Sequence, residues 1–455
     1  MLSTTSSASL SKLSNEYVNA GSDNESTRMD LEINEVSRDL VNESRPWTLS
    51  ADSSYKSSTL ESSATLLPSD SKSNDYEIGI AKDFFTGTNL SFTNTLSDYT
   101  NNISTTSNNT GFTQSLSISQ DLWKNFLGRN DKLDLTIAEE TYNFQKQNTS
   151  AVIETNLFTF VSNYLEVKVN LALVELQKLT VDRAKKRLNL IQRRVRDGLS
   201  EKVDLFSAQT RNLGAKENLR SNKINLEASL EELSKKLHRH VGANEVEAYK
   251  IQIQSELSKV EGQIEDNQNL QASLKQISYL QSTLDQKENT LYPSLKLAGS
   301  YTTNNYESNG SPIANGVLGS ENNQLAVGLN LTWNIGSIPE KLNKEASSIS
   351  LNKAKMVNRK RLLSLKQQET FLKRRVVEVE ALLVTALKRL KIAEKTLKEY
   401  NRLYTRGRAN LDQVIRAEED LIVTQESYVR YLLRRDSYYA SQAYLYGNLK
   451  KAIFK

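Results

Sequence analysis

The chain has no cysteine in its 455 residues. That excludes disulfides, zinc–thiolate centres and a lipidated N-terminal cysteine. Its two histidines, His238 and His240, stand two residues apart near a helix end with no carboxylate or cysteine cluster beside them. No metal site is expected there, no cofactor is called for, and no convergent set of His, Cys and acids points to an enzyme. No apolar run approaches the ~18 residues of a spanning helix, which argues against a helical inner-membrane protein. Neither charge sign dominates: 59 basic and 54 acidic residues leave a net charge of +5. The basic stretch Lys353–Arg375 has acids interspersed nearby and no nucleic-acid-reading module, so it reads as a solvated or lumen-facing helix surface. No nucleic-acid partner is expected. The start, Met-Leu-Ser-Thr-Thr, lacks the basic and apolar regions of a signal peptide. Proline is scarce, with five in all and none in 69–292 or 340–455.

Those proline-free stretches carry a seven-residue apolar repeat. Val174, Val181, Leu188 and Val195 end three residues before Gly198, and the series continues upstream through Phe160 and Val167. Leu383, Leu390, Leu397 and Tyr404 end three residues before Gly407. Such a repeat keeps one helix face against a partner when helices supercoil. A glycine at its end allows the left-handed turn that closes a hairpin. Return series follow each glycine, with Val414, Leu421 and Tyr428 beside Ile415, Ile422 and Val429. The chain therefore reads as a duplicated helical hairpin whose descending helices, about 133–197 and 340–406, reach ~100 Å at about 1.5 Å per residue. Helices alone fit a soluble coiled-coil scaffold equally well.

Before each long helix lies strict alternation, the pattern of a strand with one apolar face. Trp47, Leu49, Ala51 and Tyr55 alternate with Thr48, Ser50, Asp52 and Ser54. Leu90, Phe92 and Leu96 follow, then Phe112, Leu116, Ile118 and Leu122. The second half has Leu295, Leu297 and Tyr301, then Leu325, Val327, Leu329, Leu331, Trp333 and Ile335. Alternating segments with aromatics near their ends are the signature of membrane barrels, though a soluble sheet gives it too. Segments 76–84 and 88–97 are joined by only Phe85-Thr86-Gly87, which predicts a hairpin. Stretches 57–75, 100–110 and 307–321 read as long polar loops. Barrels place long loops outside and short turns in the periplasm, which puts both helical hairpins on the periplasmic side.

In this order the pieces resemble the outer-membrane efflux family, the TolC-like channels. The resemblance covers about 30 to 450. It rests on the duplicated strand–helix plan, on Leu291-Tyr292-Pro293-Ser294-Leu295-Lys296-Leu297, and on Ser117-Ile118-Ser119-Gln120-Asp121-Leu122. The hairpin Gly198-Leu199-Ser200-Glu201-Lys202-Val203-Asp204-Leu205-Phe206-Ser207-Ala208 is its most specific part, and Gly407 to Ala417 matches more loosely. It implies an α+β membrane protein, internally duplicated, with barrel strands in the outer membrane and coiled-coil hairpins forming a periplasmic α-barrel. The implied divisions are an N-terminal helix and periplasmic segment (1–45), first-half strands (46–129), first hairpin (130–240), equatorial segment and helix (241–292), second-half strands (293–338) and second hairpin with the C-terminus (339–455). The implied partners are two further copies in a homotrimer, a periplasmic adaptor (membrane fusion protein), an inner-membrane transporter and outer-membrane lipid. The implied role is the exit duct of an efflux or type I secretion system; the alternative is a non-transporting periplasmic coiled-coil structural protein with a β-domain. A barrel must cross the inner membrane, so a signal is expected upstream of this start or already removed. Family protomers usually contribute four strands, and the pair 76–97 departs from that.

The resemblance also implies a gate at the periplasmic tip. Asp204 matches the family's aspartate six residues past the first hairpin glycine, and Tyr404 matches a tyrosine three before the second. The family's arginine two residues after Gly407 is replaced by Ala409, with Arg406 and Arg408 flanking. Its aspartate ring is replaced by Gln413, with Asp412 one position earlier. The bland reading of Asp204 is a first-turn acid favoured by the helix dipole, and that of Tyr404 a coiled-coil core residue.

Overall fold

A computed structural model describes residues 10–59, 69–102, 108–246, 248–249, 255, 257, 259–308 and 322–454. In chain order the elements are α1 (Leu10–Ala20), α2 (Ser22–Asn42), β1 (Trp47–Thr59), β2 (Asp70–Phe84), β3 (Thr88–Asn101), β4 (Asn108–Asp121), α3 (Arg129–Arg196), α4 (Lys202–Leu237), α5 (Gln268–Asn289), β5 (Ser294–Ser308), β6 (Asn323–Thr332), α6 (Ile338–Thr405), α7 (Leu411–Leu445) and α8 (Leu449–Ile453). They fall into two compact units. One comprises Met1–Glu32, Gln145–Leu274 and Val357–Lys455; the other comprises Ile33–Phe144 and Lys275–Met356.

The second unit holds a single six-stranded antiparallel meander in the order β1-β2-β3-β4-β5-β6. In the single chain it is an open sheet, with β1 and β6 as its edges. Residues directly opposite in an antiparallel pair share a face. The register aligns Leu49, Ile80, Phe92, Leu116, Tyr301 and Leu325 into one apolar row across all six strands. The neighbouring row is Trp47, Lys82, Leu90, Ile118, Gly299 and Val327. Between them, on the opposite face, run Thr48, Ala81, Ser91, Ser117, Ser300 and Ala326. One face is therefore largely apolar, and the other is polar, with small Ser, Thr and Ala beside charged Asp52, Glu77, Asp83 and Lys296. Polar residues interrupting the apolar face bond to each other: Gln114 donates to Asn94 at 2.7 Å and Thr88 to Gln120 at 2.6 Å.

The predicted hairpin across 76–97 is present, and its turn is held from outside. Gly87 takes φ +73, and a Cβ there would lie 2.5 Å from the Asn125 carbonyl oxygen. Gly128 takes φ +74, and a Cβ on it would meet the Phe85 carbonyl oxygen at 1.6 Å. The turn thus packs directly on the connection from β4 to α3. The strands run further than expected. Residues 57–59 and 70–75, read as loop, are paired strand. Alternation reports only which face is apolar, whereas the ladder is made by backbone groups that Ser and Asn supply equally well. The middles of the expected long loops (60–68, 103–107 and 309–321) lie outside the described residues.

The first unit is packed helix. Phe160, Val167 and Val174 of α3 are buried, as are Leu390, Leu397 and Tyr404 of α6 and Val414, Leu421 and Tyr428 of α7. The seven-residue spacing thus marks the core-facing stripe, with Leu188, Val195 and Leu383 packed at its margin. One correction concerns hydrophobic length. Within Phe126–Arg196 a window is apolar enough, by length and composition alone, to cross a membrane, and 67 % of it is buried inside the protein. Helix α1 docks through buried Leu10, Leu13 and Tyr17, the last stacked on Phe160 at 4.6 Å. Glu16 of α1 receives both arms of the Arg239 guanidinium, at 2.6 and 3.0 Å.

One buried acid has a measurable consequence. Glu154 of α3 is 4 % exposed and accepts the Leu449 N–H of α8 at 3.2 Å, while its second oxygen has no partner among the described residues. Burial pushes its carboxyl up to about 7, against the opposing pull of the Leu449 N–H and the Lys450 charge. A carboxyl raised in the folded state holds its proton there and loses it in the unfolded chain, so stability falls as pH rises from about 4.5 to about 7. Glu154→Gln keeps the acceptor and removes the charge. It is expected to raise stability at pH 8 by on the order of 2–3 kcal/mol and to leave it unchanged at pH 4. Guanidinium unfolding at the two pH values checks this, and equal shifts at both would contradict it.

Candidate functional site

The two hairpin tips are closed in the same way. The Leu199 N–H bonds the Arg194 carbonyl at 2.7 Å and the Gly198 N–H bonds that of Val195 at 3.1 Å. At the second tip, the Arg408 N–H bonds the Leu403 carbonyl at 2.9 Å and the Gly407 N–H that of Tyr404 at 3.1 Å. Both glycines are left-handed, at φ +73 and +71. This is the paired-bond helix ending that glycine favours. The same backbone device closes each tip.

Each return helix starts with side chains satisfying its first N–H groups. The Asp204 carboxylate accepts the Ser200 hydroxyl at 2.9 Å and the Glu201 N–H at 3.4 Å. Asn410 and Gln413 bond reciprocally, the Gln413 N–H to the Asn410 side chain at 2.9 Å and the Asn410 N–H to the Gln413 side chain at 3.0 Å. Gln413 thus completes a capping box with Asn410. Asp412 pairs instead with Arg416 one turn on, at 2.8 Å on an exposed surface.

Tyr404 is nearly buried, and the Arg194 guanidinium lies over its ring at 4.8 Å. The ends of α3 and α6 therefore meet through a cation–π contact. Within one chain Tyr404 and Asp204 form no hydrogen bond to each other; one packs on Arg194 and the other holds the start of α4. Arg406 and Arg408 are exposed and make no ion pair among the described residues.

Above the tip a ladder of polar contacts ties α7 to its neighbours. Arg187 grips Glu418 with two bonds, at 2.7 and 3.4 Å, and Arg211 pairs with Glu419. Gln177 donates to Glu426 at 2.8 Å. Arg194, Arg187 and Glu418 were not singled out from the sequence. Arg187 and Arg194 are seven residues apart, so the heptad places them on one stripe, but their partners come from the other hairpin. Glu418 is buried, and removing it strands the Arg187 charge at a largely desolvated position. Glu418→Ala is expected to destabilise by about 3 kcal/mol, and Glu418→Gln by less. Thermal unfolding of the purified protein measures both, and a loss below 1 kcal/mol for alanine would show the pair to be dispensable.

The sheet carries the second set of features. All three tryptophans lie at the same ends of their strands: Trp47 opens β1, Trp123 follows β4 and Trp333 follows β6. Each is more than half exposed. Phe84, Phe126 and Tyr292 stand at the same end. Among the described residues no group of three or more His, Cys, Asp or Glu could hold a metal ion. The arrangement is an amphipathic sheet continuous in sequence with two closed helical hairpins.

No family model matches the sequence, and no curated protein matches it. Solved structures do. The outer membrane protein VceC of Vibrio cholerae aligns with a TM-score of 0.69 over 98% of this chain and 97% of its own, at 12% identity. The Campylobacter jejuni CmeC outer membrane channel gives 0.72 over 97% and 86%, at 12% identity. The open state of the Neisseria gonorrhoeae MtrE outer membrane channel gives 0.71 over 98% and 90%, at 14% identity. At such identities the likeness is one of fold: along nearly its whole length the chain has the fold of outer-membrane channel proteins.

Proposed function

We propose that the protein is a homotrimeric outer-membrane channel, the passive exit duct of a tripartite efflux or type I secretion system, gated at its periplasmic tip. The carrying observation is the six-stranded sheet with one largely apolar and one polar face, continuous in sequence with two helical hairpins closed in the same way. Exposed apolar surface on the helices supports assembly. Ile349, Met356, Leu363, Val377 and Val384 of α6 fall on a seven-residue spacing, each about 60–70 % exposed in the single chain. Val203, Phe206 and Leu213 of α4 are exposed likewise. Stripes of this extent mark surfaces that another protein surface covers, and a second copy of the chain supplies one in this reading. The partners in this reading are a periplasmic adaptor (membrane fusion protein) and an inner-membrane transporter, with outer-membrane lipid around the sheet. Arg194, Tyr404, Asp204, Arg406 and Arg408 form the closing region.

The alternative, a periplasmic coiled-coil structural protein with a β-domain, leaves Leu49, Leu325, Val327, Leu329 and Leu331 in water. Fractionation separates the two. The duct is expected in the outer-membrane fraction, extractable only with detergent, as a particle of three chains. A soluble monomer retaining full helicity would overturn it.

A further inference from the structure

The sheet ends on two open edges, and both are long. β1 offers 13 residues and β6 offers 10, with no partner on their outer sides among the described residues. Unpaired edges of this length are pairing templates. In a six-stranded meander the first and last strands run in opposite directions, so β6 of one copy meets β1 of the next antiparallel. The faces agree as well. Trp47 and Leu49 of β1 share a face with Leu325, Val327, Leu329 and Leu331 of β6, while Thr48 and Ser50 share the other with Gln324, Ala326 and Gly328.

The pair β2–β3, the addition to a four-stranded plan, is woven into this sheet. β2 pairs along its length with β1 and β3, and β3 with β4. Ile80 and Phe92 continue the apolar row without a break. Gly87 and Gly128 lock its turn to the connection into α3. Nothing in that packing leaves the hairpin free to lie outside the sheet.

We infer that β6 of each copy pairs with β1 of the next, and that three copies close one barrel of 18 strands, six from each chain. This rests on the trimer of the proposed function and fixes how its membrane part is built. Barrels of 16–18 strands leave an aqueous channel. The small side chains of the polar face, Ser91, Ser115, Ser117, Ser119 and Ser300, would line a bore wider than twelve strands allow.

The absence of native cysteine makes the test direct. Ser50→Cys is combined in turn with Gln324→Cys, Ala326→Cys, Gly328→Cys and Asn330→Cys, and the detergent-extracted protein is oxidised. Within one chain four strands separate β1 from β6, at about 4.8 Å per step, so a disulfide cannot form there. Thr95→Cys with Thr113→Cys, direct neighbours in β3 and β4, reports whether oxidation reaches the sheet. The expected result is a ladder of covalent dimers and trimers for at least one edge pair, lost on reduction. An intact trimer in which the control pair links and no edge pair does would overturn the 18-strand closure and leave the channel reading standing. Covalent dimers from a two-chain particle would overturn the count of 18. A monomer that needs no detergent would remove the channel reading itself.

Discussion

Val327→Arg is expected to abolish recovery of folded protein from the outer membrane, whereas Ala326→Arg, one residue away, leaves it nearly intact. The two positions lie on opposite faces of β6, Val327 in the row of Trp47 and Ile118, and Ala326 in the row of Thr48 and Ser117. An arginine facing lipid near the bilayer midplane of a barrel costs about 2–4 kcal/mol. A trimer carries it three times, and the sum is comparable to the whole stability of a typical folded domain, about 5–15 kcal/mol. An arginine on the polar face, which already carries Asp52, Glu77 and Lys296, meets water and alters only the lining. Leu329→Arg and Gly328→Arg repeat the contrast one step along the strand. Yield of heat-modifiable protein in outer-membrane extracts measures it. Equal yields for the two faces would mean that the apolar row does not face lipid.

The second large effect is expected at the tip. Arg194→Ala combined with Tyr404→Ala should raise single-channel conductance several-fold while the trimer persists. The contact between them joins the ends of α3 and α6, and a cation–π pair is worth ~0.5–2 kcal/mol. Three copies around a ring would bias the closed state by several kcal/mol, an amount within reach of a docking partner to reverse. Single substitutions should give smaller increases. Asp204→Ala should add to them, because it frees the start of α4 by removing a first-turn acceptor worth ~1 kcal/mol. Unchanged conductance in the double variant, with the trimer verified, would place the closing contacts elsewhere.

The helices were legible because their signal is periodic and long. Val174 to Val195 and Leu383 to Tyr404 each repeat over several heptads, and a glycine closes each hairpin at Gly198 and Gly407. The strands were legible only where one face is apolar. Trp47 to Tyr55 announced itself, whereas Ser57–Thr59 and Asp70–Asp75 did not, since a backbone ladder needs no side-chain pattern. The turn Phe85-Thr86-Gly87 predicted a hairpin but not its neighbours. Its place beside β1 and β4 depends on pairings set by the whole sheet and on the fit of Gly128 against Phe85. At the tip, Asn410-Leu411-Asp412-Gln413 has the spacing of a capping box and could have been read as one. The Arg194–Tyr404 contact could not, because its halves lie on different hairpins and meet only when these pack. Tyr404 was singled out by resemblance, and its ring partner came only from the fold.

The most direct test is planar-bilayer recording of the purified, detergent-extracted protein. A channel whose sheet spans the membrane is expected to give discrete conductance steps, small in the unmodified protein and larger when Arg194 and Tyr404 are both alanine. Folded protein that inserts no steps at any concentration, in the unmodified form and in the double variant alike, would contradict a water-filled path through the outer membrane.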